Sequence, residues 1–398
     1  MKKSKSPMYI VIAAILILIP CLLFLYLLLV SPGKPKPVTD GNGNPVEGSI
    51  SEKVFLEIGG VRQGMFIRGK DTGNPVLLFV HGGPSFSEFF LVERYPTGLE
   101  NYFTVCYWEE RGGGISYSRQ VTLESMTLEQ LASDAIEVTD YLRRRFRKEK
   151  IYLMAHSGGT AFAIQAAASH PGLFQAYIGV SQIACQAESE RMAYKFMTDH
   201  YSSLKKSKVL SEFKKFQVFE NDSLLLPYFN SVLRDKSMHE LGIGTMRNMK
   251  SIMTGVFLPV WTCRAYTLKE KFNIWYSKFF FINKSKLREQ IISTDFTGIV
   301  TKLDVPVFFL SGKYDLTVNH DLSKEYLLKL DAPLKEFYSF ENSAHSPMFE
   351  EPGRFLAIMT SDILINGDRR EMFPALPNAS ADSQEGQQTE GEKGRVGE

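Results

Sequence analysis

The chain opens on an unbroken apolar run. Met8 to Val30 covers about 23 residues without a single charge. A helix of that length, at about 1.5 Å per residue, crosses a hydrocarbon layer roughly 30 Å thick. The run outlasts the apolar core of a signal peptide, about 7–15 residues, and no small-x-small cleavage site follows it. We therefore expect a retained transmembrane helix. Lys2, Lys3 and Lys5 precede it, and Lys34 and Lys36 follow. That bias puts the amino terminus inside and the remainder of the chain outside the cytoplasm. Ser31 to Gly48, rich in Pro, Gly, Asn and Lys, reads as a linker.

The rhythm then changes to short apolar runs separated by helical periodicity. Lys53–Ile58 and Arg62–Arg68 flank a Gly59-Gly60 turn, and Pro75–Val80, Tyr102–Trp108, Ile151–Met154 and Ala176–Val180 read as further strands. Leu128, Leu131, Ile136, Val138 and Leu142 form the apolar stripe of a helix, opened by a Thr127/Gln130 capping box and ending near Arg147. Thr160–Ala168 reads as another helix. Such alternation predicts a mostly parallel sheet with helices on both faces.

Near Gln182 the alternation stops, and it resumes only at Val305–Leu310. The interval looks helical, with candidates at Ser189–His200, Leu204–Phe219 and Arg264–Phe280, and reads as an inserted cap. A helix near Leu322–Leu330, a strand at Lys335–Phe340 and a helix from Pro352 to Ile365 follow. From Pro374 the chain is polar and aperiodic, as disordered segments are. The expected layout is thus a basic tail (1–7), a transmembrane helix (8–30), a linker (31–50), two core parts (51–181 and 304–367), a cap (182–303) and a disordered tail (368–398).

Hydrophobic residues make up 44% and charged residues 23% of the 398, enough for a substantial core. The net charge of +2 is too small to argue for nucleic acid as a partner. Cys21, Cys106, Cys185 and Cys263 are too scattered for a disulfide framework or a metal site. No cofactor is expected.

Chemistry enters at Ala155-His156-Ser157-Gly158-Gly159. A strand runs into a serine flanked two residues away on each side by a small residue, and a helix follows. Only small neighbours let strand and helix backbones approach at such a turn, which lifts the hydroxyl of Ser157 above the sheet edge. The Gly158 N–H, at the helix start, then points at a developing oxyanion. His81-Gly82-Gly83-Pro84, after an earlier strand, supplies a second donor at Gly83. Asp315, past the strand Val305–Leu310, and His345, past the last strand, stand in the order Ser, acid, His. His81 reads as a packing residue, Asp304 lies at the wrong sheet end, and His320 and Asp321 read as residues of a helix start.

HGGP at 81–84, WEERGGGIS at 108–116, the serine turn, SGKYD at 311–315 and ENSAH at 341–345 together resemble the proline iminopeptidase branch of the α/β-hydrolases. The resemblance covers about residues 50–367. It implies an α/β-hydrolase fold, a triad of Ser157, Asp315 and His345, and oxyanion donors at Gly83 and Gly158. It implies acyl transfer to water on a peptide or small ester substrate; the apolar N-terminal helix, outside the resemblance, separately makes the lipid bilayer an expected partner. Arg111 and Gly112 match the family's DQRGxGxS and would shape the site. Glu188 and Glu190 stand where the family holds a substrate α-amine. Ser85 replaces the last glycine of HGGPG, Glu109-Glu110 replace Asp-Gln, and Gly158 replaces the Trp of GGSWG. These departures leave the mechanism intact but loosen the substrate. A proline-type aminopeptidase is the first reading; a carboxylesterase is the second, and a non-catalytic anchored binding protein the third.

Overall fold

The computed structural model describes residues 6–365. Lys2, Lys3, Lys5 and the tail from 368 lie outside the described residues. Among the described residues, eight strands form one sheet in the order β1-β2-β4-β3-β5-β6-β7-β8. These are β1 (Ile50–Ile58), β2 (Val61–Gly69), β3 (Val76–Val80), β4 (Thr104–Glu109), β5 (Ile151–His156), β6 (Phe174–Val180), β7 (Val307–Gly312) and β8 (Lys335–Phe340). β2 pairs antiparallel with both β1 and β4. Every pairing from β4 to β8 is parallel.

The reason is visible in β3. All five of its residues are buried, and they divide between the two sheet faces. Val76, Leu78 and Val80 join one core with Leu131, Val138 and Phe162, while Leu77 and Phe79 join the other with Phe103, Tyr107 and Phe355. A strand covered on both faces reads as a continuous apolar run, not an alternation. Helices α3 (Leu128–Phe146) and α4 (Thr160–Ser169) supply part of the first cover. Other helices are α1 (Ser6–Leu29), α2 (Phe89–Arg94), and, between β6 and β7, α5 (Gln186–Ser203), α6 (Ser207–Phe213), α7 (Leu225–Phe229), α8 (Val232–Leu241), α9 (Leu258–Thr262) and α10 (Leu268–Tyr276). This inserted cap has a small core of its own around Met197, Tyr201, Phe213 and Tyr228.

Three local expectations need correction. The Thr127 hydroxyl accepts from Gln130 N at 3.1 Å, but the Gln130 amide turns to Asp134 at 2.8 Å, so only half the capping box forms. Leu204–Phe219 is not one helix: Lys205 at φ +53° delays its start, and α6 already stops at Phe213. The third helix starts at Leu268, where Thr267 and Glu270 build a reciprocal cap, and it continues through a π turn, Ser277–Phe281.

The segment after α1 is not a free tether at its start. Lys271 on α10 is fully buried, and its ammonium donates to Val30 O (2.9 Å), Ser31 Oγ (2.9 Å) and Trp261 O (2.7 Å). Two of those acceptors are carbonyls at the ends of α1 and α9, where the helix dipole favours a cation. Burial still pushes the lysine down to about 8. Gly33 N and Lys34 N add bonds to Arg264 O, at 3.1 and 3.3 Å. Composition alone signalled a linker because it carries no trace of a cation waiting on a distant helix.

A second buried cation fixes the loop after β4. Arg111 forks onto Asp134 of α3 at 2.5 and 2.7 Å. Gln63 donates to the same carboxylate at 2.7 Å and accepts from the Trp108 indole at 3.0 Å. Arg111→Ala leaves Asp134 buried and uncompensated, so we expect a loss of about 3–5 kcal/mol in unfolding free energy. Arg111→Lys should recover little of it, because the planar fork is missing. Chemical denaturation midpoints of the two variants check both statements.

Candidate active site

β5 delivers Ser157 onto a turn that enters α4. Ser157 adopts φ +52°, a region where a non-glycine residue costs of order 1 kcal/mol or more. The neighbours explain how that strain persists. A Cβ on Gly82 would meet the Ser157 Cβ at 2.8 Å, and one on Gly158 would meet Gly83 N at 3.2 Å. One on Gly159 would collide with the His81 carbonyl. The loop 81–84 therefore lies flat against the serine turn, with the Gly83 and Gly158 backbones side by side.

The structure brings the three distant polar residues together. His345 Nε2 lies 2.7 Å from Ser157 Oγ, and His345 Nδ1 lies 2.9 Å from Asp315 Oδ2. Asp315 is fully buried, and its other oxygen accepts the N–H groups of Thr317 and Val318, each at 2.9 Å. Any side chain at Gly312 would strike the carbonyl of Ala344, so glycine there lets the loops carrying Asp315 and His345 touch. Tyr314 N donates to Ser343 O at 3.0 Å across the same contact.

Sequence reasoning missed a second shell of contacts. The His345 carbonyl accepts from His156 Nε2 and from Ser181 Oγ, each at 2.9 Å. His156 Nδ1 faces the Glu88 carboxylate at 2.9 and 3.0 Å. Burial disfavours charge on both, yet each favours the charged form of the other, which shifts His156 up and Glu88 down. His156 was in plain view beside Ser157, but nothing in one sequence joins it to Glu88. His81 packs as expected. Burial pushes its imidazole down, and it accepts from Glu110 N at 3.4 Å. His320 opens a helix and bonds Ser339, away from Ser157.

The departures from HGGPG and DQRG prove to be coupled. Ser85 takes φ +54°, which glycine would adopt freely. Its N–H and hydroxyl both donate to Glu110 Oε2, at 2.7 and 3.2 Å, and the hydroxyl also reaches Arg111 O. Glu109 accepts from Ile115 N at 2.7 Å and from the Tyr266 hydroxyl. Burial pushes Glu109 up to about 7 and Glu110 well above the usual carboxylate range.

A cavity of about 340 Å³ stands over Ser157, floored by Gly83, Gly158 and His345 and walled by Phe86, Phe229, Met238 and Phe279. Its carboxylates are Glu88 and Asp235, its strong cations Arg234, Lys278 and Arg288. Lys278 lies 4.1 Å over the Phe86 ring. Glu188 and Glu190 do not line it. Glu190 is fully buried and bound by the Arg234 fork at 2.5 and 2.7 Å, and Glu188 faces Arg191 at 3.6 Å. The expectation that they hold an amine is corrected accordingly: one carboxylate is already neutralised and the other points elsewhere. Cys106 and Cys263 are buried, and burial pushes both thiols up, away from thiolate chemistry.

Comparison with known proteins decides the relationship. The description "serine aminopeptidase, S33" fits residues 75–234. Probable aminopeptidase YbaC of Bacillus subtilis (strain 168) is 34% identical over 314 residues, spanning 78% of this chain and 96% of that protein. The chain belongs to the serine aminopeptidase family. As a family member it is a serine hydrolase of the α/β-hydrolase superfamily. The proline iminopeptidase of Saccharolobus solfataricus (strain ATCC 35092 / DSM 1617 / JCM 11322 / P2) is 26% identical over 293 residues, 72% of this chain and 84% of its own. The crystal structure of proline iminopeptidase from Mycobacterium smegmatis superposes with a TM-score of 0.56 at 12% identity, over 80% of this hydrolase and all of that chain, a likeness of fold.

The raised carboxyls set the sign of a pH effect. A carboxyl whose folded value lies above its unfolded value keeps its proton while the unfolded chain loses one, so stability falls as pH rises from the unfolded value, about 4.5, through about 7 for Glu109. Glu109→Gln should flatten the decline in unfolding free energy between those limits. Denaturation curves at stepped pH measure it.

Proposed function

We propose that this protein hydrolyses acyl bonds through Ser157, and that the continuous hydrogen-bonded line from Ser157 through His345 to Asp315 carries that reading. His345 Nε2 takes the hydroxyl proton as Oγ adds to the substrate carbonyl carbon. The Gly83 and Gly158 N–H groups hold the resulting oxyanion. His345 then returns the proton to the leaving group, the C–N or C–O bond breaks, and an acyl-enzyme remains. Water, activated by the same imidazole, attacks that ester and regenerates Ser157. Asp315 holds the Nδ1–H tautomer and stabilises the imidazolium. Residues 51–181 and 304–367 act as the catalytic core, and 182–303 as the cap that shapes the substrate cavity.

The first substrate class is a short peptide that loses its N-terminal residue, proline above all. The names of the relatives, an aminopeptidase and a proline iminopeptidase, support it. A small acyl ester is the second class, and one observation favours it. Both cavity carboxylates are engaged, Glu88 by His156 and Asp235 by Arg234 at 3.0 Å, which leaves no uncommitted carboxylate for an α-ammonium among the cavity residues described. We further read Val11–Leu29, an apolar stretch of mean hydropathy 3.0 with no buried residue, as a retained membrane span with the catalytic part outside the cytoplasm.

Ser157→Ala should abolish turnover and fluorophosphonate labelling while leaving the melting temperature near that of the parent. Asp315→Asn should lower kcat by roughly 10⁴-fold. Labelling of a Ser157→Ala protein at the parent rate would overturn the nucleophile. Parallel assays of prolyl-β-naphthylamide and p-nitrophenyl butyrate separate the two substrate classes. Amide cleavage is expected on the first reading, and its absence beside rapid ester cleavage selects the second.

A further inference from the structure

A band of aromatic rings runs across the cap from the exit of α1 to the cavity. Phe272 meets Trp261 at 5.1 Å, Trp261 meets Phe257 at 6.0 Å, Phe257 meets Trp275 at 5.3 Å and Trp275 meets Phe279 at 5.7 Å between ring centres. At one end, the Trp261 carbonyl shares the Lys271 ammonium with Val30 and Ser31. At the other, Phe279 lines the cavity, as do Ile252 and Val256 from the adjoining turn. The outer edge of this band is solvent-exposed, with Trp261 and Trp275 half-buried within it. Met253, Phe272, Phe279 and Phe280 are 55–57% exposed, and Leu258 is 47% exposed. A contiguous apolar surface of this kind on a folded protein marks a contact with something apolar.

We propose that this face of α9 and α10 lies in the interfacial layer of the same bilayer that α1 spans, so that the cavity mouth opens at the lipid surface. The proposal rests on reading α1 as a retained span. Its support is positional. Lys271, Arg264 and the Pro32–Thr267 bridge fix the end of α1 to the cap, so no slack separates the last apolar turn of the helix from the band. Where Leu29 leaves the hydrocarbon, Phe272 and Trp261 must meet the headgroup region. Tryptophan and phenylalanine are the side chains suited to that depth. Exposed Lys34, Arg264 and Lys269 flank the exit and suit lipid phosphates. The substrate class follows: an amphiphile, an ester or a peptide carrying an apolar group, that reaches Ser157 from the membrane past Phe279.

The chain has three tryptophans: Trp108, Trp261 and Trp275. Trp108 is fully buried in the sheet core, and α1 contains none. The test reconstitutes the full chain into phosphatidylcholine vesicles with lipids brominated near the headgroup end of the acyl chains. Flotation after alkaline extraction reports the span. Quenching of tryptophan emission reports the face. Expected are flotation with the vesicles and strong quenching that vanishes in Trp261→Phe/Trp275→Phe. Flotation without quenching overturns the proposal and leaves the span standing; failure to float overturns both. Leu258→Asp/Phe272→Asp, neither residue lining the cavity, should lower hydrolysis of a vesicle-borne ester several-fold and leave p-nitrophenyl butyrate cleavage unchanged. Equal losses on both substrates would also overturn it.

Discussion

The close approach of main chain to main chain at the sheet's C-terminal rim governs this molecule. Backbones meet there in two places with little room for a side chain between them: loop 81–84 against the serine turn, and the Gly312 turn against the loop of His345. Gly82, Gly159 and Gly312 are spacers of zero thickness. A methyl group at Gly82 or Gly159 would push loop 81–84 off the turn that carries Ser157, and one at Gly312 would part the loops of Asp315 and His345, which need hydrogen-bond contact to act. The positive φ of Ser157 is tolerated because sheet and helix on either side determine the turn between them.

That rim also accounts for the unusual acids of this chain. Ser85 in place of glycine adopts a conformation glycine would take without cost, and Glu110 in place of glutamine receives its N–H and hydroxyl. The pair works as a unit, one residue supplying donors and the other a buried acceptor whose carboxyl burial pushes well above the usual range. Glu109 accepts likewise from Ile115 and Tyr266, which ties the rim to the segment leading into α10. A local deviation from the family pattern thus reaches the cap through hydrogen bonds.

Most of the sheet was legible in the sequence. Parallel strands covered on both faces leave unbroken apolar runs such as Val76–Val80, and turn residues bound them, so strands and their order of appearance could be read directly. The serine, acid and histidine were legible because each follows a strand, and strand ends in such a sheet converge on one edge. What escaped were properties of pairs. Glu190 looked available until Arg234, 44 residues on, proved to bind it. Ser31–Gly48 looked loose until Lys271, some 240 positions away, proved to hold its beginning. A helix through Leu204–Phe219 looked continuous because apolar periodicity runs on past Phe213, where α6 in fact ends. Burial of a charge is decided by its partner, and a single sequence does not name partners.

Lys271 has a consequence for how substrate is met. A hydrolase on a slack tether would roam a hemisphere of solution and collect reactants by their concentration in bulk water. Here the start of the tether is bolted down, so a chain held by α1 would keep its active centre at a fixed height and heading above the membrane plane. Its search would then be two-dimensional. Partitioning into the lipid layer and lateral diffusion along it, not aqueous abundance, would set which molecules it encounters and how often.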